Sequence, residues 1–468
     1  TKIGIKGALD QAGREALGFH GSDYLKGPVG VVGTLTGRRG QLTIGDLTLD
    51  LTPAALYVDL VGINKPAGFP ASAHALLNFG PHSSLRNANV SIFGPSLQAQ
   101  MTLAFDSSGR LTSLNAPSVR SGAANDFALS FARGPAGIDV SMRGRLLDGS
   151  QIARRGSGTG ESKEAGGDAN DTFDGPFRIS AKLDRLALRG GVSIAPFALE
   201  VSGTGDRPAT MTLSGRRGKT GTLVGGIAAR GNDRRLALQT NDFGTLARGL
   251  FGFASIKGGK LDLQTTLHGP AAAPPSTVVD PANDFEGTVR LDDFRLLNQP
   301  FLARLFSAGS LIGFGNLLAG GGIAVDELKI PFTSKNGVLG IEDARASGPA
   351  IGVSAEGYID RPKNEIALKG TLVPLFGINS ALGYIPLLGQ LLVSKPGEGI
   401  IGMVYSVEGN ADEPRVNINP LSMATPGFLR RIFEGQMPNV ANAPTNTEPP
   451  TSNKAPMPPI QTAPLPAA

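Results

Sequence analysis

Cysteine and tryptophan are both absent from the 468 residues, and histidine occurs only four times. Without thiols the chain has no disulfides and no zinc or iron–sulfur site built on thiolates; zero cysteine also fits an oxidising compartment. His20, His74, His82 and His268 are scattered and fall in no metal-ligand spacing, so no resident metal is expected. Five tyrosines and no tryptophan leave few stacking platforms for single-stranded nucleic acid and few aromatics for the girdles of an outer-membrane barrel. Charge is thin as well. Asp, Glu, Lys and Arg make up 18% of the chain, and the net charge of +5 is spread over its whole length. That is below the density of a nucleic-acid binder, so neither nucleic acid nor nucleotide is an expected partner.

Catalytic motifs are missing too. Residues 215–220 read GRRGKT, with the glycines too close for a phosphate loop and strand-like Leu223 and Val224 following. Gly313 and Gly315 lack the third glycine of a dinucleotide fingerprint, and no GxSxG elbow occurs. The neighbouring acids Asp292 and Asp293, Asp326 and Glu327, and Glu342 and Asp343 read as solvated strand positions rather than a glycosidase pair. The expectation is a non-enzymatic chain without cofactor.

What the chain has in quantity is glycine, 65 residues, and proline, 34. They punctuate short runs of period-two alternation. Over 260–267, Leu261, Leu263, Thr265 and Leu267 fall on one face and Lys260, Asp262, Gln264 and Thr266 on the other, because successive strand side chains point to opposite sides. Phe177, Ile179, Ala181 and Leu183 alternate with Arg178, Ser180, Lys182 and Asp184. Ile366 and Leu368 alternate with Glu365, Ala367 and Lys369, and Leu42, Ile44, Leu47, Leu49 and Leu51 flank a break expected at Gly45 and Asp46. More than a dozen such runs occur. One-sided strands belong to antiparallel or open sheets, not to doubly wound parallel ones. Residues 34–40, TLTGRRG, recur as 212–218, TLSGRRG; each is a strand end entering a glycine-bracketed arginine pair, the chemistry of a tight hairpin. Arginine pairs beside turns read as solubilising tips and as candidate contacts for anionic head groups: Arg38 with Arg39, Arg216 with Arg217, Arg430 with Arg431.

Helices are few. Asp242 is placed to cap a short one near 243–251. Apolar helices are expected at 301–318, carrying Phe301, Leu305, Phe306, Ile312, Phe314 and Leu317, and at 379–392, carrying Leu387 and Leu388; a terminal helix is expected at 426–434. The predicted organisation is a sheet segment over 1–148, a flexible linker or loop over 149–173, and a second sheet segment over 174–268. A Pro-rich loop (269–284), a C-terminal region with apolar helices (285–434) and a disordered Pro-rich tail (435–468) follow. The chain begins at Thr1, and no basic segment with an apolar run follows, which leaves room for a leader or anchor upstream.

A long one-sided sheet must hide its apolar face by closing, by pairing with a second sheet, or by curling into a trough that helices or a ligand cover. A trough left open exposes more apolar surface than a monomer ordinarily does, and so marks a site for apolar ligands. The fold class expected is therefore mainly β: an elongated, curled, antiparallel-type sheet, a taco-like groove, with a few short apolar helices toward the C-terminus.

The motifs Gly370-Thr371-Leu372-Val373-Pro374, Tyr384-Ile385-Pro386-Leu387-Leu388-Gly389, Gly397-Glu398-Gly399, Tyr405-Ser406-Val407-Glu408-Gly409, Pro414-Arg415-Val416-Asn417-Ile418-Asn419-Pro420 and Pro426-Gly427-Phe428-Leu429-Arg430 resemble the C-terminal part of the AsmA-like family, in its YhdP branch. The piece 242–267 is similar to that family as well. The resemblance covers about 240–434 in motif and 1–240 in pattern. It implies a β-groove spanning the periplasm of a Gram-negative bacterium, anchored in the inner membrane, that carries phospholipid to the outer membrane. Its partners would be phospholipid and the inner and outer membrane surfaces or envelope proteins. On that reading the groove lining includes Phe177, Ile179, Leu183, Leu261, Leu263, Leu267, Ile351, Val353, Ile366 and Leu368, and the apolar helices close or dock one end. The alternative is a structural or assembly-modulating envelope protein whose groove is filled by its own helices.

Overall fold

The computed structural model describes residues 1–16, 24–58, 61–150, 175–205, 207–269, 284–297, 322–374 and 402–419. The chain is mainly β, with one large, open, mixed sheet of 23 strands, a second sheet of three strands and two short helices among the described residues. It divides into two compact units, residues 1–220 with 248–252, and residues 221–247 with 253–468.

Unit one opens with β1 (Lys2–Leu9), α1 (Gln11–Ala16), β2 (Leu25–Lys26), β3 (Val29–Arg38), β4 (Gln41–Asp50), β5 (Ala55–Val58) and β6 (Ile63–Lys65). It continues with β7 (Ser72–Phe79), β8 (Leu85–Phe93), β9 (Leu97–Phe105), β10 (Leu111–Ser121), β11 (Asn125–Gly134) and β12 (Gly137–Asp148). The last of its strands are β13 (Pro176–Ala187), β14 (Ser193–Ile194), β15 (Phe197–Thr204) and β16 (Arg207–Arg217). Strands β1, β3, β4, β7 to β13, β15 and β16 form a meander, each hydrogen-bonded to the next. All these pairs are antiparallel except β12 with β13, which run parallel. A parallel neighbour needs a crossover of a dozen or more residues rather than a hairpin, and the segment between Asp148 and Pro176 is long enough to supply it. The meander has two edges. At the Val29 edge β3 begins and β4 ends; at the Arg38 edge β3 turns into β4, where Arg39 and Gly40 take positive φ of 52° and 80°.

Strands β2, β5 and β6 make the three-stranded sheet, with Leu25 opposite Leu56 and Leu56 opposite Lys65. This small sheet and α1 sit on the Val29 side of β1 to β8. Val29, Val31, Leu51, Ala54, Ala71 and Ala73 form a core there, with Ile5, Leu9, Leu25, Leu47, Leu49, Val90 and Ile92 packed against it.

Unit two contains β17 (Gly221–Arg230), β18 (Asp233–Thr240), the start of α2 (Phe243–Phe251), β19 (Ile256–Leu267), β20 (Phe285–Leu296) and β21 (Ile323–Lys335). It ends with β22 (Val338–Ser347), β23 (Ile351–Asp360), β24 (Glu365–Pro374), β25 (Met403–Asn410) and β26 (Arg415–Asn419). These strands form a second all-antiparallel meander. Its core comprises Leu261, Leu291, Phe294, Ile323, Val325, Ile351, Leu372, Met403, Tyr405 and Val407. The helix expected near 243–251 spans Phe243–Phe251, with the Leu246 N–H donating to the Asp242 carbonyl. The helices expected at 301–318, 379–392 and 426–434, and with them Phe301, Leu305, Phe306, Ile312, Phe314, Leu317, Leu387, Leu388, Arg430 and Arg431, lie outside the described residues. So do residues 151–174, 270–283 and the tail from 420 on.

Candidate functional site: one apolar face per unit

Residues directly opposite each other in a ladder present their side chains to the same face, so register alone states what each face carries. In unit one, a single row reads Ile3, Leu35, Gly45, Leu77, Ala88, Leu103, Leu114, Phe131, Val140, Ile179, Val201 and Met211 from β1 to β16. Two residues along each strand, the next row reads Ile5, Gly33, Leu47, Ala75, Val90 and Met101. Past a bulge in β10 it continues through Ala116, Leu129, Met142, Ala181, Leu199 and Leu213. The third reads Gly7, Val31, Leu49, Ala73, Ile92, Ala99, Val119, Phe127, Gly144, Leu183, Phe197 and Gly215. No polar side chain interrupts any of the three.

The opposite face is the reverse. One of its rows reads Gly4, Thr34, Asp46, Leu76, Asn89, Thr102, Asn115, Ser130, Ser141, Ser180, Glu200 and Thr212, with Leu76 its one large apolar member. That face carries the ion pairs His74 with Asp46 at 2.8 Å and Lys182 with Glu200 at 3.3 Å.

The apolar face is covered toward the Val29 edge and open toward the other. Val31, Ala73, Ala99, Val119, Phe127 and Leu183 are buried, whereas Ile3 is 51% and Ile179 39% exposed, and Leu35, Leu77, Leu103, Leu114, Phe131 and Val140 are half-buried. Two buried cations anchor the cover. The Arg14 guanidinium donates to the carbonyls of Leu9, Gly27 and Leu25, and the Lys65 ammonium to those of Leu51, Ala54 and Pro66. Burial holds the Lys65 amine below the usual lysine range, against the pull of the Asp50 carboxylate.

Unit two repeats the plan. Leu223, Thr240, Leu261, Leu291, Leu328, Ala346, Val353, Leu372 and Met403 form one row across nine strands. Toward the other edge, Phe332, Ile341, Gly357, Leu368, Val407 and Val416 form another, after a bulge in β22. Leu291, Leu372 and Met403 are buried outright, Leu263, Phe332, Ile341 and Leu368 are half-buried, and Val416 is exposed. Tyr405 crosses this face and donates its hydroxyl to the Ser354 carbonyl at 2.8 Å; burial pushes its pKa up to about 12. The other face carries Arg290 with Glu327 at 2.8 Å, Arg345 with Asp343 at 2.9 Å and Lys369 with Glu356 at 3.2 Å.

All the lining residues named from sequence lie on these apolar faces: Phe177, Ile179 and Leu183 in unit one, Leu261, Leu263, Leu267, Ile351, Val353, Ile366 and Leu368 in unit two. They are not equivalent. Leu183, Leu261 and Ile351 are buried; the other seven are accessible. Ile44 departs from expectation. The break expected at Gly45 and Asp46 is absent, so alternation running on from Leu47 puts Ile44 on the polar face, 45% exposed; the extra residue is Thr43, opposite Thr36 and Gly37, and it returns Leu42 to the apolar side. The arginine pairs separate as well: Arg38 and Arg39 stand on the Arg38 edge, but Arg216 and Arg217 end β16 on the Val29 edge, so they do not line one rim. None of the lining residues named from sequence falls in the first half of unit one, although Leu97, Ala99, Met101 and Leu103 alternate with Gln98, Gln100 and Thr102 as cleanly as 260–267. No sequence signal marks Arg14 or Lys65 as buried.

Among the described residues, no group of three or more His, Asp or Glu is placed to hold a metal ion, and no helix is long and apolar enough to cross a membrane. What the fold and the site define is an open β-meander with one predominantly apolar face in each unit. Compared with protein-family models, characterised proteins and solved structures, the chain matches none.

Proposed function

We propose that this chain is a non-enzymatic phospholipid-binding and phospholipid-carrying protein of the Gram-negative cell envelope. On this proposal it belongs to the AsmA-like family in its YhdP branch and works in the periplasm, with the full-length protein anchored in the inner membrane. Lipid passes between inner and outer membrane along its apolar faces. The observation that carries the reading is the register of unit one: three consecutive rows across twelve strands without a polar side chain. At about 4.8 Å per strand such a face extends roughly 50 Å, far beyond what one core needs. Each buried methylene of an acyl chain contributes about 0.8 kcal/mol, and rows of equivalent Leu, Ile, Val and Ala offer no polar site at which a sliding chain would be trapped.

The test is mass spectrometry of lipids co-purifying with the full chain, with a photo-crosslinking residue at Leu103 of unit one. Phospholipid recovered and crosslinked there is the expected outcome; a lipid-free protein that crosslinks nothing overturns the reading. Complete burial of Leu291, Leu372 and Met403 favours a second reading for unit two, a structural body whose apolar face is filled by protein. A crosslinker at Leu372 distinguishes them, since a filled face yields no lipid adduct.

A further inference from the structure

The two edges of unit one differ in charge. Along the Arg38 edge, successive hairpins from β3 to β12 each bring an arginine: Arg38 and Arg39 between β3 and β4, Arg86 entering β8, Arg110 entering β10, and Arg133 leaving β11. The hairpins on the Val29 edge over the same stretch are Gly94-Pro95-Ser96 and Gly122-Ala123-Ala124, without charge. The basic edge is the one beside which the apolar rows stay open.

Arg133 differs from the other rim arginines. In register it continues the row of Phe127, Leu129 and Phe131 and pairs with Ile138, so it is a charged side chain on the apolar face at the Arg38 edge. Its guanidinium carbon lies 5.8 Å from the Phe131 ring centroid, and its Nε is buried without an acceptor. A buried guanidinium nitrogen left unpaired is costly, and an anion at the edge of an apolar surface relieves that cost. Arg110, by contrast, is already paired with Asp106 at 3.1 Å.

We propose that Arg133 is the head-group-selecting residue of unit one: its guanidinium donates to the phosphate of a glycerophospholipid whose acyl chains lie on the apolar rows, with Arg38, Arg39 and Arg86 supplying a basic rim along the same edge. This rests on the lipid-binding reading and adds to it a ligand class and an orientation, tails toward the covered Val29 side and phosphate at the Arg38 edge.

The full chain is titrated calorimetrically with dihexanoyl phosphatidylglycerol and, separately, with dihexanoylglycerol, which has the same tails and no phosphate, both below their micellar concentrations. The variants are Arg133→Met, which keeps the length and apolar contacts of the side chain, Arg133→Lys, and Arg178→Met on the polar face of β13. Expected is about a tenfold loss of phosphatidylglycerol affinity in Arg133→Met with dihexanoylglycerol affinity unchanged, partial recovery in Arg133→Lys, and no change in Arg178→Met. Equal affinity of wild type and Arg133→Met for phosphatidylglycerol overturns the head-group assignment while leaving the groove reading intact. Wild type binding neither lipid overturns both. Displacement of phosphatidylglycerol by equimolar inorganic phosphate makes the site a phosphate site and also overturns the assignment.

Discussion

At the residue scale, three polar groups buried at the apolar faces, Lys65, Arg14 and Tyr405, have a definite partner geometry. Lys65 and Arg14 spend their donors on backbone carbonyls, which is how a buried cation is tolerated without a hydrogen-bonded carboxylate. Tyr405 stands opposite Gly370, where a Cβ would meet the Ser354 carbonyl and the Tyr405 hydroxyl that donates to it. Because burial holds the Tyr405 hydroxyl up to about 12 against an ordinary value of 10.0, the unfolded chain loses that proton first as pH rises. The phenol's contribution is therefore complete below pH 10 and disappears between about 10 and 12, a loss of about 2 to 3 kcal/mol. Chemical denaturation followed from pH 8 to 12 should show this fall in wild type and a shallower one in Tyr405→Phe. Parallel curves for the two proteins would mean that Tyr405 ionises freely in the folded state.

At the element scale, period-two alternation announced the strands, and the one-sided runs 177–183, 260–267 and 366–368 announced which side is apolar. What alternation does not announce is a bulge, because one extra residue inverts the parity of everything beyond it. Thr43 does this in β4, and the segments near Pro117 in β10 and Glu342 in β22 do it again; in each case the faces remain sorted only because the bulge is present. The single parallel pair, β12 with β13, was likewise invisible, since it depends on the crossover and not on either strand. Glycine on the apolar face has a packing meaning that composition hides. Gly287 lies opposite Phe332, and a Cβ there would stand 2.8 Å from the Phe332 ring and closer still to the Gln264 carbonyl. Gly287→Ala should therefore destabilise unit two by about 1 to 3 kcal/mol through collision with both the Gln264 carbonyl and the Phe332 ring. The double variant Gly287→Ala with Phe332→Leu should recover part of that loss, and a double mutant as unstable as the sum of its parts would place the strain in the backbone instead.

At the scale of the whole molecule, apolar and polar residues are present in ordinary proportion and unusually well sorted. The sorting spans strands far apart in sequence, Ile3 through Met211 in one row, so no local window of sequence displays it; it emerges only when register is known. A face of this kind left in water contributes little to folding, because its side chains on the open edge are about as hydrated as in the unfolded chain. A ligand that covers it and has no affinity for the unfolded chain must stabilise the fold by mass action, by about 2.7 kcal/mol when present at a hundred times its Kd. Thermal unfolding of the full chain with dihexanoyl phosphatidylglycerol at that excess should therefore move the midpoint upward by about 5 °C. Glycerophosphoglycerol, the same head group without tails, should leave it in place, since the tails supply the burial. An equal rise with the tail-less compound would assign the stabilisation to the basic rim alone. No rise with either would mean that the open rows of unit one stay bare in the presence of lipid, and the proposed groove would have no cargo.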